Sequence, residues 1–146
     1  MMEIYGYPII SKQAMLAVVE DMRKTHAAED MELDMSVWAE TYPSDTCFCC
    51  AGGSVVIHAM GGSRCDEEWT SEQNRVAFII DDIRMGDWKG AEVRLRQWGG
   101  FSGLDGIIPD QAREAWSESM REVGDDPEEF FAAWEKFANA LPEVSR

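Results

Sequence analysis

The segment SDTCFCCAGGSVVIHAMGG, residues 44–62, decides the fold that this sequence predicts. Residues 46–60 contain no Asp, Glu, Lys or Arg, so a helix over them is expected to be buried on nearly every side. Ser44 or Asp45 is a candidate N-cap, and the glycine pair that ends the segment is a candidate stop signal. A pair of short strands over residues 54–60 is the alternative, and we favour the buried helix.

Two glycines inside this predicted helix set a condition on its surroundings. Gly52 and Gly53 each cost a helix interior about 1 kcal/mol relative to alanine. A buried helix recovers that loss where a neighbouring helix crosses closely at the positions without side chains. The buried-helix interpretation is therefore favoured if a neighbouring helix crosses closely at these glycines.

Hydrophobic residues recur at helical spacing on both sides of the central segment. Ser11 is the expected N-cap of a first helix, and Asp126 with Pro127 is expected to start the last one. Two more helices are predicted within residues 72–98, separated at Gly86. The residues expected on the buried faces are Met15, Val18, Val19, Met22, His26, Val76, Ile79, Ile80, Ile83, Trp88, Ala91, Leu95, Trp98, Phe130, Phe131, Trp134, Phe137 and Leu141. The predicted fold is a compact all-α domain of five or six helices that spans residues 1–146.

The segment DQAREAWSESMRE, residues 110–122, places an acidic residue at every fourth position. On one helix this spacing lines an edge with carboxylates about 6 Å apart, and each neighbouring pair of like charges destabilises the helix by a few tenths of a kcal/mol. The helix dipole favours a negative charge only at the first of these positions. The four residues are Asp110, Glu114, Glu118 and Glu122. Their row is therefore either a functional surface or an ordinary solvated face.

The chain carries 28 Asp and Glu against 13 Lys and Arg, which gives a net charge of −15. The excess lies at both ends, because residues 1–50 hold 9 acids and 3 bases and residues 105–146 hold 11 and 4. Residues 51–104 are close to neutral, with 8 acids and 6 bases. Such a chain repels phosphate, which disfavours direct binding to nucleic acid or to an anionic membrane, and it attracts a basic surface on another protein. A surface that serves only solubility is the alternative.

These features predict an acidic protein-interaction module. Its carboxylates are spaced much as phosphates are along a nucleic-acid strand, so it is expected to compete with nucleic acid for a basic surface of a nucleic-acid-binding protein. In size and acidity the chain is similar to phage-encoded inhibitors of restriction and CRISPR systems, which is a likeness of composition. The predicted partner-binding residues are Asp110, Glu114, Glu118, Glu122, Asp125, Asp126, Glu128 and Glu129.

A cluster of soft metal ligands is the alternative functional site. It consists of Cys47, Cys49, Cys50 and His58, with Cys65 farther along the chain. A structural zinc site needs four ligands that converge on one point, and His58 lies about 12 Å beyond Cys50 along one helix. We therefore expect buried thiols, no metal, no cofactor and no catalysis. The alternatives are a small metal- or thiol-dependent enzyme centred on Cys47–Cys50 and His58, and a homo-oligomer paired through its apolar helices.

Asp81 and Asp82 are adjacent carboxylates, a residue type that binds Mg²⁺ or takes part in acid–base catalysis. Successive residues on a helix point about 100° apart, and no other ligand is expected to converge there. Arg84 and Arg75 lie at helical spacing from the pair and are the more plausible partners.

The first ten residues, MMEIYGYPII, lack the basic residues and the apolar run of a signal peptide. No apolar stretch approaches the roughly 20 residues that span a bilayer. Four cysteines without an export signal indicate a reducing compartment, so the expected location is the cytoplasm.

Overall fold

The computed structural model describes residues 2–41, 45–98 and 108–144. Within these ranges the α-helices are α1 Lys12–Ala27, α2 Ala51–Ala59, α3 Ser71–Met85, α4 Trp88–Trp98, α5 Asp110–Ala115 and α6 Pro127–Asn139. The strands are β1 Glu3–Ile4, β2 Tyr7–Pro8, β3 Met31–Leu33, β4 Ala39–Glu40 and β5 Cys47–Cys49. Two short 3₁₀-helices, Asp66–Glu68 and Glu118–Met120, complete the described elements.

The fold is a mixed α/β domain, so the prediction of an all-α bundle is wrong. Strands β1 and β2 form an antiparallel hairpin. In the second sheet β5 is central, parallel to β3 and antiparallel to β4. Each strand is only two or three residues long, which is too short for the alternation of apolar and polar residues to stand out in the sequence.

The uncharged segment is a strand followed by a helix, not one helix over residues 46–60. Cys50 is the N-cap of α2, where its thiol accepts the N–H of Gly53 at 3.4 Å, so the cap does not lie at Asp45. Ser44 lies outside the described residues. Strand β5 forms because its backbone pairs with β3 and β4. The spacing of apolar residues within residues 46–60 carries no information about that pairing.

Helix α2 is largely buried between α1 and α3, as the uncharged composition predicts. A side chain at Gly52 would place its Cβ 2.8 Å from the Cα of Ala77, so α3 crosses closely there. At Gly53 the close neighbour is the carbonyl oxygen of Trp38, only 1.8 Å from an added Cβ. Because the two glycines have no side chains, α3 can approach α2 at Gly52, and the segment before β4 can approach it at Gly53.

Helices α1, α3 and α6 begin or end at the residues predicted to cap them. Ser11 caps α1, α3 ends at Gly86 in the left-handed conformation with φ 69°, and Asp126 caps α6 with Pro127 in its first turn. One residue predicted on a buried face, His26, is exposed instead, and its ring forms a T-shaped contact with that of Phe131. The predicted residues that are fully or nearly fully buried include Met15, Val18, Val19, Met22, Ile79, Ile80, Ile83, Leu95, Phe130, Phe131, Trp134 and Phe137.

Among the residues that the structure describes, no helix is both long and apolar enough to cross a bilayer.

Candidate partner-binding surface

The predicted row of carboxylates does not lie on one helix. Helix α5 ends at Ala115, the backbone is extended at Trp116 and Ser117, and the 3₁₀-helix begins at Glu118. The regular four-residue spacing between Asp110 and Glu122 is therefore interrupted, and this part of the prediction is wrong.

The packing of Trp116 explains the break. Its indole N–H donates to the carbonyl oxygen of Arg84 at 3.3 Å, and its ring meets that of Trp88 edge-on, with 6.3 Å between centroids. The guanidinium of Arg121 lies over the same ring at 5.1 Å. These tertiary contacts outweigh the helical tendency of a segment whose like charges already disfavour a continuous helix.

All eight predicted partner-binding residues are exposed, but they do not share one surface. Glu128 pairs with Arg23 at 2.9 Å, and Glu118 lies 3.9 Å from the guanidinium of Arg121. Asp126 accepts the backbone N–H of Glu128 at 3.1 Å as the cap of α6. The structure brings together a subset of the eight, Glu122, Asp125, Asp126 and Glu129.

These four carboxylates line a concavity of about 180 Å³ at the start of α6. Ser119, Val123, Gly124 and Phe130 complete its wall. Gly124 adopts the left-handed conformation, with φ 65°, which turns the chain between Glu122 and the cap of α6. The concavity therefore combines an acidic rim with a small apolar component.

A second concavity, of about 220 Å³, adjoins the first at the same turn. It shares Glu122, Val123 and Gly124 with the first and adds Glu32 and Asp34 from the end of β3 and the residues after it. The apolar residues Leu33, Met35 and Phe48 also line it. We call the six carboxylates of the two concavities the acidic surface: Glu32, Asp34, Glu122, Asp125, Asp126 and Glu129.

Glu32 and Asp34 are not among the partner-binding residues that the sequence predicts. The acidic excess of residues 1–50 was the only signal that pointed toward them. Their approach to Glu122 depends on the placement of β3 in the second sheet, which the all-α prediction did not contain.

No lysine or arginine lines either concavity in the part of the chain that the structure describes. Over the same ranges, none of the six carboxylates forms an ion pair. By contrast, many of the other acids are neutralised internally, as Asp81 is by Arg84 at 3.0 Å. The acidic surface is therefore a region of uncompensated negative charge.

The predicted partners of the adjacent carboxylates on α3 are confirmed in one case only. Asp81 pairs with Arg84, whereas Asp82 binds Arg94 of α4 through both of its oxygens at 2.9 Å. Arg75 lies over the ring of Trp98 at 5.6 Å instead. Asp81 thus pairs within α3 and Asp82 links α3 to α4, so the two carboxylates do not converge on a common ligand.

The alternative site, around Cys49 and His58, is a buried polar cluster between α1 and α2. Its centre is the hydroxyl of Thr25, which lies 2.9 Å from Ser54 Oγ and 3.0 Å from His58 Nε2. The thiol of Cys49 is 3.6 Å from Ser54 Oγ and 3.8 Å from Thr25 Oγ1. The Thr25 hydroxyl is also within donating distance, 3.2 Å, of the backbone carbonyl oxygen of Asp21, one helical turn earlier. Of these residues, the sequence points to Cys49 and His58 as site candidates but not to Asp21 or Thr25 of α1.

The carboxylate of Asp21 extends this cluster toward the β1–β2 turn. The Tyr5 hydroxyl donates to Asp21 Oδ1 at 2.9 Å, and Lys24 Nζ lies 3.4 Å from the same oxygen. The other oxygen, Oδ2, is buried without a hydrogen-bond partner among the described residues. Burial raises the pKa of Asp21, and burial with the bond to Asp21 raises the pKa of Tyr5 to about 12.

The thiols of this segment are poor nucleophiles. Burial raises the pKa of Cys49 to about 12 and that of Cys50 to about 11, so both remain protonated near neutral pH. Among residues 2–41, 45–98 and 108–144, no group of three or more His, Cys, Asp or Glu side chains is arranged to hold a metal ion. The geometry therefore gives no support to thiol or metal chemistry here.

The two apolar surfaces considered for a homo-oligomer are covered within one chain. Helix α2 packs against α1 and α3, and the Phe and Trp face of α6 is buried against α1 and the 3₁₀-helix at Glu118–Met120. A second copy is thus not needed to bury either one.

Comparisons of the chain with protein-family models, with curated proteins and with solved structures give no significant match. The site is therefore interpreted from its own chemistry.

Proposed function

We propose that this chain is an acidic interaction protein that binds a basic, nucleic-acid-binding surface of a partner protein and excludes nucleic acid from it. The proposal assigns no reaction to the chain and places it in the cytoplasm. It is supported chiefly by one observation, the two adjoining concavities whose six carboxylates have no cation partner in the described structure. The excess charge of the two ends of the chain meets there.

The shape of the acidic surface suits a protein partner that offers flexible cationic side chains. Lysine and arginine side chains enter concavities of this size, and their charge compensates the carboxylates. Binding releases the counterions held by both charged surfaces, so the affinity is expected to fall steeply as salt increases. A nucleic acid bound to the same basic surface is displaced because the two ligands carry the same charge.

A partner is best found in the native host by capture on the immobilised protein, with elution in steps of increasing salt. The eluted protein is then purified and bound to a fluorescently labelled nucleic acid, and displacement by the unlabelled acidic protein is followed by anisotropy. The likeness in size and acidity to phage-encoded inhibitors makes restriction and CRISPR nucleases the first partners to test. Displacement that weakens with rising salt is the expected result.

Two variants with equal loss of charge separate the acidic surface from the linear row. The triple substitution Glu122→Gln, Asp125→Asn and Glu129→Gln removes carboxylates of both concavities. The matched control removes three carboxylates that line neither concavity; its substitutions are Asp110→Asn, Glu114→Gln and Glu118→Gln. The proposal expects the first variant to lose displacement and the control to keep most of it. Equal effects of the two variants, or none from either, would contradict it.

A further inference from the structure

The outer face of the second sheet carries a phenylalanine between two glutamates. Phe48 on β5 lies in register with Glu32 on β3 and with Glu40 on β4. Residues paired across neighbouring strands project from the same face of a sheet, with Cβ atoms about 5 Å apart. The inward residues Cys47 and Cys49 are buried, whereas both glutamates are exposed and Phe48 is half-buried.

Phe48 does not serve the hydrophobic interior. It belongs to neither of the two apolar clusters that the described residues form. Across the same residues it has no aromatic ring partner and no cation over its ring. Instead it lines the second acidic concavity, beside Glu32, Asp34 and Glu122.

Elsewhere in this molecule the same combination of groups holds an arginine. The guanidinium of Arg94 lies 4.7 Å from the centre of the Phe78 ring and binds Asp82 at 2.9 Å. The guanidinium of Arg23 lies 4.5 Å from the centre of the Phe131 ring. The same group binds Glu128 at 2.9 Å and Glu135 at 3.0 Å. A planar guanidinium suits both neighbours at once, since it stacks on a ring and pairs with carboxylates through its edge.

We propose that Phe48, Glu32 and Glu40 receive an arginine side chain of the partner protein. The inference rests on the proposed function and specifies its partner as one with arginine in its basic surface. The guanidinium lies on the Phe48 ring, and its N–H groups donate to the flanking carboxylates. Lysine has a more compact and more strongly hydrated charge and gains less from the ring.

The test compares two fluorescein-labelled peptides of equal charge, hexaarginine and hexalysine, by anisotropy at low and high salt. The wild-type protein is expected to bind hexaarginine about two- to fivefold more tightly, the gain expected of one exposed cation–π contact. Phe48→Leu is expected to abolish this preference while binding of hexalysine persists. Phe48→Trp retains a ring and should keep the preference, and melting curves show whether each variant is folded.

The charge contribution is tested with Glu32→Gln combined with Glu40→Gln. The matched control combines Glu20→Gln with Glu72→Gln, two exposed glutamates that line neither concavity. The first pair is expected to weaken hexaarginine binding clearly more than the control pair. Equal weakening would overturn the inference.

Two further outcomes separate this inference from the proposed function. If wild-type protein binds both peptides equally well and in a salt-dependent way, or if Phe48→Leu keeps the preference, the arginine site is refuted and the acidic docking surface stands. If neither peptide binds at low salt, the proposed function fails together with the inference.

Discussion

At the scale of single residues, the most unusual group is the carboxylate of Asp21. Its side chain has no exposed surface, one oxygen lacks a hydrogen-bond partner among the described residues, and the other depends on Tyr5 and Lys24. A buried carboxyl of this kind favours its neutral form. The charge that ionisation creates is shielded from water, and its neighbours compensate it only in part. The carboxyl of Asp21 and the imidazole of His58 should therefore give stability opposite dependences on pH.

For Asp21 we expect the free energy of unfolding to fall as the pH rises above about 4. The unfolded carboxyl loses its proton near pH 3.8, whereas the folded one keeps it to a higher pH. Between these two pKa values the stability decreases by up to about 1.4 kcal/mol per pH unit. Urea unfolding of wild type and Asp21→Asn at pH 4, 5.5 and 7 measures this. The variant should gain stability relative to wild type as the pH rises, and a constant difference would contradict the prediction.

His58 is expected to act in the opposite direction. Burial lowers its pKa, so the unfolded imidazole, with a pKa near 6.5, takes up a proton before the folded one does. The free energy of unfolding should therefore fall as the pH drops below about 6.5, until the folded pKa is passed. His58→Gln should remove this part of the slope, as measured by urea unfolding between pH 7 and 5. A slope unchanged by the substitution would show that His58 is not its source.

At the scale of elements, helix α2 shows packing acting against intrinsic propensity. Gly52 and Gly53 are unfavourable in an isolated helix. The space that a side chain at each position would need is already occupied by the backbones of Ala77 and Trp38, respectively. Propensity alone predicts that alanine at either position stabilises the helix by about 1 kcal/mol. The close approach of these two backbones predicts instead that alanine at either position destabilises the protein.

Gly53→Ala is expected to lower the free energy of unfolding by about 1–3 kcal/mol, the usual cost of overpacking, or by more. An added Cβ would lie 1.8 Å from a carbonyl oxygen, so the chain around Trp38 has to move. Chemical denaturation of the variant measures the loss. Ala132→Gly, at an exposed position of α6, gives the propensity effect alone for comparison. Stabilisation by Gly53→Ala would show that α2 and the segment at Trp38 are not this close.

Predictions from the sequence succeeded where an element is determined by its own residues. Helices α1, α3 and α6 carry an apolar face together with a cap, and each begins or ends close to the predicted residue. Strand β5 and the end of α5 were missed, because pairing with β3 and β4 determines the first and the contacts of Trp116 the second. Both depend on residues outside the segment itself, which periodicity within a segment does not report.

At the scale of the whole molecule, the fold gathers acidic residues from both ends of the chain around one turn. Glu32 and Asp34 meet Glu122 there, although nearly ninety positions separate them in sequence. The sequence predicted the acidic character of the candidate surface and four of its six carboxylates. It did not predict the other two, since only the tertiary fold brings β3 to this place.

A surface that gathers like charges should reduce stability. We expect the Glu122→Gln, Asp125→Asn and Glu129→Gln variant to melt at a higher temperature than wild type at low salt. The gain should shrink in high salt, because screening weakens the repulsion that the substitutions remove. Calorimetry at two salt concentrations measures both effects.

Glu128→Gln provides the contrast, because it removes a partner of Arg23 and should lower the melting temperature. If the triple variant were also less stable, the three carboxylates would have favourable internal partners.

The contact between α1 and the segment that follows α6 has a consequence for how the protein folds. Lys12 N–H donates to the carbonyl of Pro142 at 3.0 Å, and the side-chain amide of Gln13 bonds both the N–H and the C=O of Val144. One flank of α1 is therefore closed by residues that are synthesised more than a hundred positions later. Until α6 and those residues have been synthesised, the apolar stripe of α1 lacks its final cover. We therefore expect folding to be completed late and the incomplete chain to be prone to aggregation.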